Sequence, residues 1–99
     1  MSYKVLTTSV AHKMFRKFPP HIREHLTAEA GRLADNPELG ASLTGALRTF
    51  RSLHTKLNNV SYRIVYEADD RNHQVIIRAV GVRENFYKQL QGLRLRNAA

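Results

Sequence analysis

The stretch that decides the fold is SYRIVYEA, Ser61 to Ala68, and within it YRIVY, Tyr62 to Tyr66. Its β-branched and aromatic residues favour a strand. Successive side chains of a strand point to opposite faces, so Tyr62, Ile64 and Tyr66 share one face and Arg63, Val65 and Glu67 the other. The first set is a core face, which turns Arg63 outward. An arginine held outward by two tyrosines and an isoleucine is either plain surface charge or a group that the strand presents.

The neighbouring segments follow the same grammar. FRSLHTKL, from Phe50, and HQVIIRAVGV, from His73, read as further strands, joined to the first through NNVS and the turn signal DDRN. In the earlier strand Phe50, Ser52, His54 and Lys56 alternate with Arg51, Leu53, Thr55 and Leu57. The second set is the more apolar, so His54 and Lys56 face away from the core with Arg63. In HQVIIRAV, Val75, Ile77 and Ala79 oppose Ile76, Arg78 and Val80. Neither side is clean, which predicts a central strand covered on both faces.

Upstream, YKVLT (Tyr3 to Thr7) is a short first strand. SVAHKMFRKF follows as a helix, with Val10, Met14 and Phe18 on one face and Ser9 as its cap. Pro19-Pro20 ends it, and a second helix runs from near Pro20 to about Ala34 with the stripe Ile22, Leu26, Ala30 and Leu33. DNPELG breaks the pattern, and Leu39 to Leu47 reads as either a helical turn or a loop. The tail ENFYKQLQGLRLR has the makings of a short terminal helix. The expected order is β-α-α-β-β-β: an α+β domain whose antiparallel sheet is covered on one face by a helical hairpin. At 99 residues the chain suits one domain over 1–99, with 92–99 as a flexible tail.

Composition narrows the function. Hydrophobic residues make up 42%, enough for a core. There is no cysteine, which excludes disulfides and thiolate chemistry. No run approaches the ~20 apolar residues of a membrane span, so a cytoplasmic protein is expected. The five histidines, His12, His21, His25, His54 and His73, are scattered; His21 and His25 have ligand spacing but no third partner, and no metal or cofactor is expected. Lys and Arg number 16 against 8 acids, for a net charge of +8 and a pI near 10.5. Such an excess favours a polyanionic or acidic partner.

The cations are also organised. From Arg48 to Arg63 lie Arg48, Arg51, Lys56, Arg63 and His54, without one acid. Strand alternation puts His54, Lys56 and Arg63 on the face the helices leave uncovered. Arg83 follows the last strand, and Tyr87 lies four residues on. Glu67 and Glu84 are the acids near this set. Each residue alone is an ordinary surface side chain; their shared face is the argument. An arginine is no base, but its planar fork matches phosphate oxygens, so Arg63 and Arg83 suit charge stabilisation at a reacting phosphorus. Lysine and histidine are both residue types used as general bases, leaving Lys56 and His54 as alternatives. Tyr87 can stack on a base or donate a proton. If the substrate is RNA, its own 2′-OH supplies the nucleophile. Arg48, Arg51, Arg78 and Lys88 are the further candidates for phosphate contact.

These residues, taken with LTG at Leu43 to Gly45, RSLHTKL at Arg51 to Leu57, YRIVY, IIRAVGVRENFY at Ile76 to Tyr87 and the opening HKMFRKFPPHIREHL, make the chain similar to the RelE/ParE toxin superfamily. The similarity spans Tyr3 to about Leu90 and is greatest to the RelE-like branch. That resemblance implies a microbial ribonuclease fold. It implies a toxin of a type II toxin–antitoxin system that cleaves mRNA, often in the ribosomal A site of the 30S subunit, leaving 2′,3′-cyclic phosphate and 5′-OH ends. It also implies a cognate antitoxin that wraps the toxin and often binds operator DNA. Lys56 matches the family's lysine six residues before the first tyrosine of YRIVY, and His54 its basic position eight before. Arg63 matches the arginine inside the motif and Arg83 the one after VG. Tyr87 matches a terminal tyrosine whose spacing varies among members. Thr44 stands where some members carry an arginine, leaving that contact to Arg48 or Arg51. ParE-like members share the fold but inhibit DNA gyrase, and a non-catalytic RNA-binding regulator of translation would use the same basic face for contact alone.

Overall fold

The hairpin between the two strands that flank NNVS organises the sheet. In the computed structural model, which describes residues 2–82, Asn58 and Asn59 have φ of 52° and 67°. Leu57 pairs with Val60 across them. Two consecutive positive-φ residues form a primed two-residue turn, whose twist matches that of the strands it joins, and asparagine tolerates that region. The turn sets the register of the strands on either side.

Five strands result: β1 (Lys4–Thr7), β2 (Ala41–Ser42), β3 (Arg51–Leu57), β4 (Val60–Asp69) and β5 (Gln74–Val82). Helices α1 (Ser9–Arg16) and α2 (Pro20–Gly31) lie between β1 and β2. The sheet order is β1-β5-β4-β3-β2, antiparallel from β2 to β5, with β1 joined to β5 in parallel. This is the expected α+β arrangement, with β1 as a parallel edge and the two-residue β2 as an addition from the ambiguous Leu39 to Leu47 segment. That segment also contains a 3-10 turn, Gly45–Leu47. No helix among the described residues is long and apolar enough to cross a membrane. The expected terminal helix and the tail 92–99 lie outside the described residues.

β4 is central and alternates as its sequence requires. Tyr62, Ile64 and Tyr66 are buried in one cluster with Ala11 of α1, Ile22 and Leu26 of α2, and Leu33. β5 departs from simple alternation. Its register against β4 skips Arg78: Val65 pairs with Ala79 and Tyr66 with Ile77. This β-bulge moves the phase of the strand by one residue. Val75, Ile77 and Val80 therefore face the helices, and Ala79 belongs to a second cluster on the other face. The unclean pattern of HQVIIRAV comes from this phase change as much as from double burial.

The helices pack largely as read, with three corrections. α1 is capped by Thr8, whose hydroxyl accepts the Ala11 N–H at 3.1 Å, and Ser9 is the first helical residue. Val10 is 38% exposed, whereas Ala11 is fully buried. The reason is the position of α1 beside β5, where it serves both clusters: Ala11 and Phe15 meet the helix-side core, and Met14 the other. The buried arc is thus centred on a small alanine that the spacing of large residues does not mark. α2 keeps its stripe through Ile22 and Leu26, but it ends at Gly31, and the buried Leu33 belongs to the 3-10 turn Arg32–Ala34 that follows.

The face without helices is not bare along its whole length. Leu47 and Phe50 lie over Val65 and Ala79, with Leu43 and Met14 at the margin. The open part of this face is the end nearest the β3–β4 turn. On the helix side, segment 36–42 is held to the sheet by Tyr66, whose hydroxyl donates to the Pro37 carbonyl at 2.6 Å and accepts the Gly40 N–H at 2.8 Å.

Candidate nucleic-acid interface

At that open end His54 stands directly opposite Arg63, and Lys56 opposite Ser61. Leu57 and Val60 close a two-residue turn as a hydrogen-bonded pair. Alternation then makes His54–Arg63 and Lys56–Ser61 non-hydrogen-bonded pairs, whose Cα atoms approach to about 4.5 Å and whose side chains are the closer together. The four side chains surround a recess of about 180 Å³, lined also by Thr55 and Tyr62. Those two point to the helix side and so floor the recess with backbone. His54, Lys56 and Ser61 are exposed and Arg63 is half-buried.

Beneath the recess the sheet is tied to α2. Thr55 donates to Glu29 Oε1 at 3.1 Å and meets His25 Nε2 at 2.6 Å. Because the Thr55 proton is committed to a carboxylate, His25 Nε2 is the donor of the shorter bond. Arg32 bonds Glu29 at 2.7 Å. Arg32 first, and then Thr55 and His25, hold the Glu29 carboxyl below its ordinary value, against burial, which pushes it up. The acid is thus kept on the far side of the sheet from the recess. Glu67, on the recess face, is ion-paired to Arg78 at 2.8 Å.

A larger cleft of about 340 Å³ opens on the helix side, among Val5, Phe15, Leu26, Ala30, Ile64 and Ile77. Its walls are apolar apart from Thr7 and Thr27 and hold no acid–base group. Among the described residues no three His, Asp or Glu side chains converge as metal ligands. The chemistry therefore concentrates at His54, Lys56, Ser61 and Arg63, a set suited to anionic oxygen.

Residues 5–91 match the family model described as the ParE-like toxin of type II bacterial toxin–antitoxin systems. The chain belongs to that family. Its fold is similar to that of the toxin–antitoxin complex RelBE2 from Mycobacterium tuberculosis, at 29% identity and a TM-score of 0.76, covering 84% of this chain and 100% of that one. It is similar to the intact Escherichia coli RelBE complex at 25% identity and a TM-score of 0.70, over 84% and 99% of the two chains. The RelE–RelB complex of Pyrococcus horikoshii shares the fold at 18% identity, with a TM-score of 0.60, over 85% and 98%. Curated protein sequences give no match. The expected RelE/ParE membership and fold are thereby met.

The toxin's structure sorts the residues singled out from its sequence. It brings His54, Lys56 and Arg63 together around one recess. Arg83, Tyr87 and Lys88 lie outside the described residues. Arg48 is exposed and follows Leu47 in the turn over the same face, beyond the apolar cover. Arg51 is turned the other way: it donates to the carbonyls of Gly40 at 2.7 Å and Glu38 at 3.3 Å. Arg78 is engaged with Glu67. The structure therefore does not bring Arg51 or Arg78 to the recess, because each is tied into the fold by a partner distant in sequence. Ser61 was missed, since an uncharged serine after a turn draws no notice. The Asn58-Asn59 turn is the signal that could have found it, because a two-residue loop places Ser61 opposite Lys56.

Proposed function

We propose that this toxin is an endoribonuclease that cleaves mRNA, acting on translating ribosomes at the A site of the 30S subunit and hence in the cytoplasm. The observation that carries the reading is the facing pair His54–Arg63 with Lys56 and Ser61 at one recess on the helix-free face. In this scheme the base, Lys56 or His54, takes the proton of the substrate 2′-OH. The 2′ oxygen bonds to phosphorus as the bond to the 5′ oxygen breaks, and a proton returns to that leaving oxygen. The products are a 2′,3′-cyclic phosphate and a 5′-OH. Negative charge that gathers on the non-bridging oxygens is met by Arg63, and by Arg83 on the sequence argument. The substrate supplies its own nucleophile, so the scheme calls for no metal-bound water. Tyr87, from the sequence pattern, is assigned to stacking or proton donation.

A cognate antitoxin is the inferred protein partner. The similar RelE chains were solved with RelB antitoxins, and a chain of net charge +8 favours an acidic segment. The decisive experiment is induced expression followed by mapping of transcript ends, with and without translating ribosomes. Cyclic-phosphate ends should accumulate with the wild-type chain and vanish with Arg63→Ala, whose fold is checked in parallel by circular dichroism because Arg63 is half-buried. The family description, ParE-like, favours one second reading, inhibition of DNA gyrase. Intact transcripts with stalled replication would select it.

A further inference from the structure

We propose that α1 extends the phosphate-binding surface, with Lys13 and Lys17 receiving single-stranded RNA that runs from the recess across the end of β5. This deepens the ribonuclease reading by stating where the substrate strand lies. The starting observation is the composition of α1. His12, Lys13 and Arg16, with Lys17 at the C-cap, are exposed, and the helix contains no acid.

The fold decides which of these cations matter. The Thr8 N–H bonds the Ile77 carbonyl at 3.1 Å, starting α1 beside the middle of β5. Past its end, the Phe18 ring meets the Tyr62 ring edge-on, with centroids 5.6 Å apart. Tyr62 pairs with Val82 and floors the recess. The helix therefore runs toward the end of the sheet that holds the recess. Orientation about its axis follows from the packing. Ala11 and Phe15 face the helix-side core, while Met14 faces the cluster on the recess face. At about 3.6 residues per turn, Lys13 and Lys17 fall on the Met14 side and His12 and Arg16 on the Phe15 side. Lys13 and Lys17 are one turn apart, about 6 Å between Cβ atoms. From β4 to the axis of α1 is roughly 15 Å, one strand spacing plus one packing layer.

A phosphodiester held between His54 and Arg63 belongs to a polymer, and each neighbouring phosphate carries a charge of its own. Past β5, the Lys13–Lys17 flank is the next cationic surface among the described residues on that side. It holds side chains of one sign, as a backbone-tracking surface requires.

The test measures binding of a fluorescent single-stranded RNA, fully 2′-O-methylated so that it lacks the nucleophile, by anisotropy over a series of salt concentrations. Lys13→Gln with Lys17→Gln should weaken binding about tenfold at low salt. It should also flatten the logarithmic salt slope by about 1.4, the release expected for two single-strand phosphate contacts. Lys4→Gln with Arg16→Gln removes the same charge from exposed positions elsewhere and should leave the slope near the wild-type value. All four side chains are exposed, and glutamine is as good a helix former as lysine. Equal losses in the two pairs, or no loss in either, would overturn the track. So would a loss seen with an acidic antitoxin peptide but not with RNA. Cleavage of the unmodified RNA is scored separately. Cleavage with equal slopes removes the track alone, a Lys13/Lys17-dependent slope without cleavage removes the ribonuclease reading alone, and a wild-type chain that binds no RNA removes both.

Discussion

Replacing Tyr66 by phenylalanine deletes one oxygen and should cost the domain a large part of its stability. The ring is fully buried, and phenylalanine keeps its packing. What disappears is the hydroxyl that donates to the Pro37 carbonyl at 2.6 Å and accepts the Gly40 N–H at 2.8 Å. Burial also pushes that hydroxyl's ionisation above its ordinary value, keeping it protonated as donor. The two orphaned groups differ. Pro37 is half-buried, so water can reach its carbonyl at a cost of about 0.5–1 kcal/mol, whereas Gly40 is buried and its N–H forfeits about 1–3 kcal/mol. No room exists for the loop to collapse. A Cβ at Gly40 would lie 2.9 Å from the Ser52 carbonyl group and from the Tyr66 ring. The sum is about 1.5–4 kcal/mol, and at about 4–8 °C per kcal/mol for a domain of this size the midpoint should drop by roughly 6–32 °C. The chain has no tryptophan, so urea unfolding is followed by far-ultraviolet circular dichroism. Arg51→Ala removes bonds to Gly40 and Glu38 in the same segment. In a double-mutant cycle the two losses should fall short of additivity, since either releases the loop. A Tyr66→Phe loss under about 0.5 kcal/mol, within the range of neutral surface changes, would refute the latch.

At the recess, Lys56→Ala should slow single-turnover RNA cleavage by about 10²–10⁴-fold if Lys56 is the base; a change of a few-fold would move that role to His54. On the other side of the sheet, Glu29 titrates below its ordinary value, so the folded chain binds fewer protons there than the unfolded one. The sign is fixed: this contribution is present above the unfolded value, near ~4.3, and is lost as pH falls through the lower folded value. Acid denaturation of wild type should therefore steepen in that window relative to Glu29→Gln, and superimposable curves would exclude the network as a source of acid sensitivity.

The parts of this structure that follow from local periodicity were legible. YRIVY alternates by two because β4 is central and buried on its Tyr62–Ile64–Tyr66 side, and that one fact places Arg63 with His54 and Lys56. The paired asparagines mark the turn that sets the pairing. What escaped depends on contacts between residues far apart in sequence. Arg51 looks like another phosphate ligand until segment 36–42 folds over it and takes its guanidinium. β2 exists because Gly40, lacking a side chain, lets that segment approach Ser52 and Tyr66. Val10 was read as core because it is large, while the contact that positions α1 is made by Ala11. His25 drew notice only for its spacing from His21, and Glu29 drew none, since their partner Thr55 is reached only through the crossing of α2 over β3.

The bulge at Arg78 links fold to site most directly. Val75 and Ile77 face the helices; without the extra residue, Ala79 and Gly81 would follow them, and Val80 and Val82 would flank Arg63 on the recess face. With it, Val80 completes the helix-side core and Arg63 is paired with Gly81. A position without a side chain thus sits beside the arginine, on the side of the recess toward α1. Bulges next to binding sites commonly re-aim side chains in this way. Gly81→Val reverses the local result without undoing the bulge. Valine suits a strand, so the melting midpoint should stay within a few degrees, yet its Cβ would stand about 4.5–5.5 Å from the Arg63 Cβ, the separation of directly cross-strand neighbours. The Michaelis constant for RNA should rise about tenfold or more, since an isopropyl group opposite Arg63 would crowd the arginine that lines the recess. An unchanged Michaelis constant in a folded Gly81→Val chain would mean that substrate does not occupy the space between β4 and β5, and would move the binding surface to the β3 side of the recess.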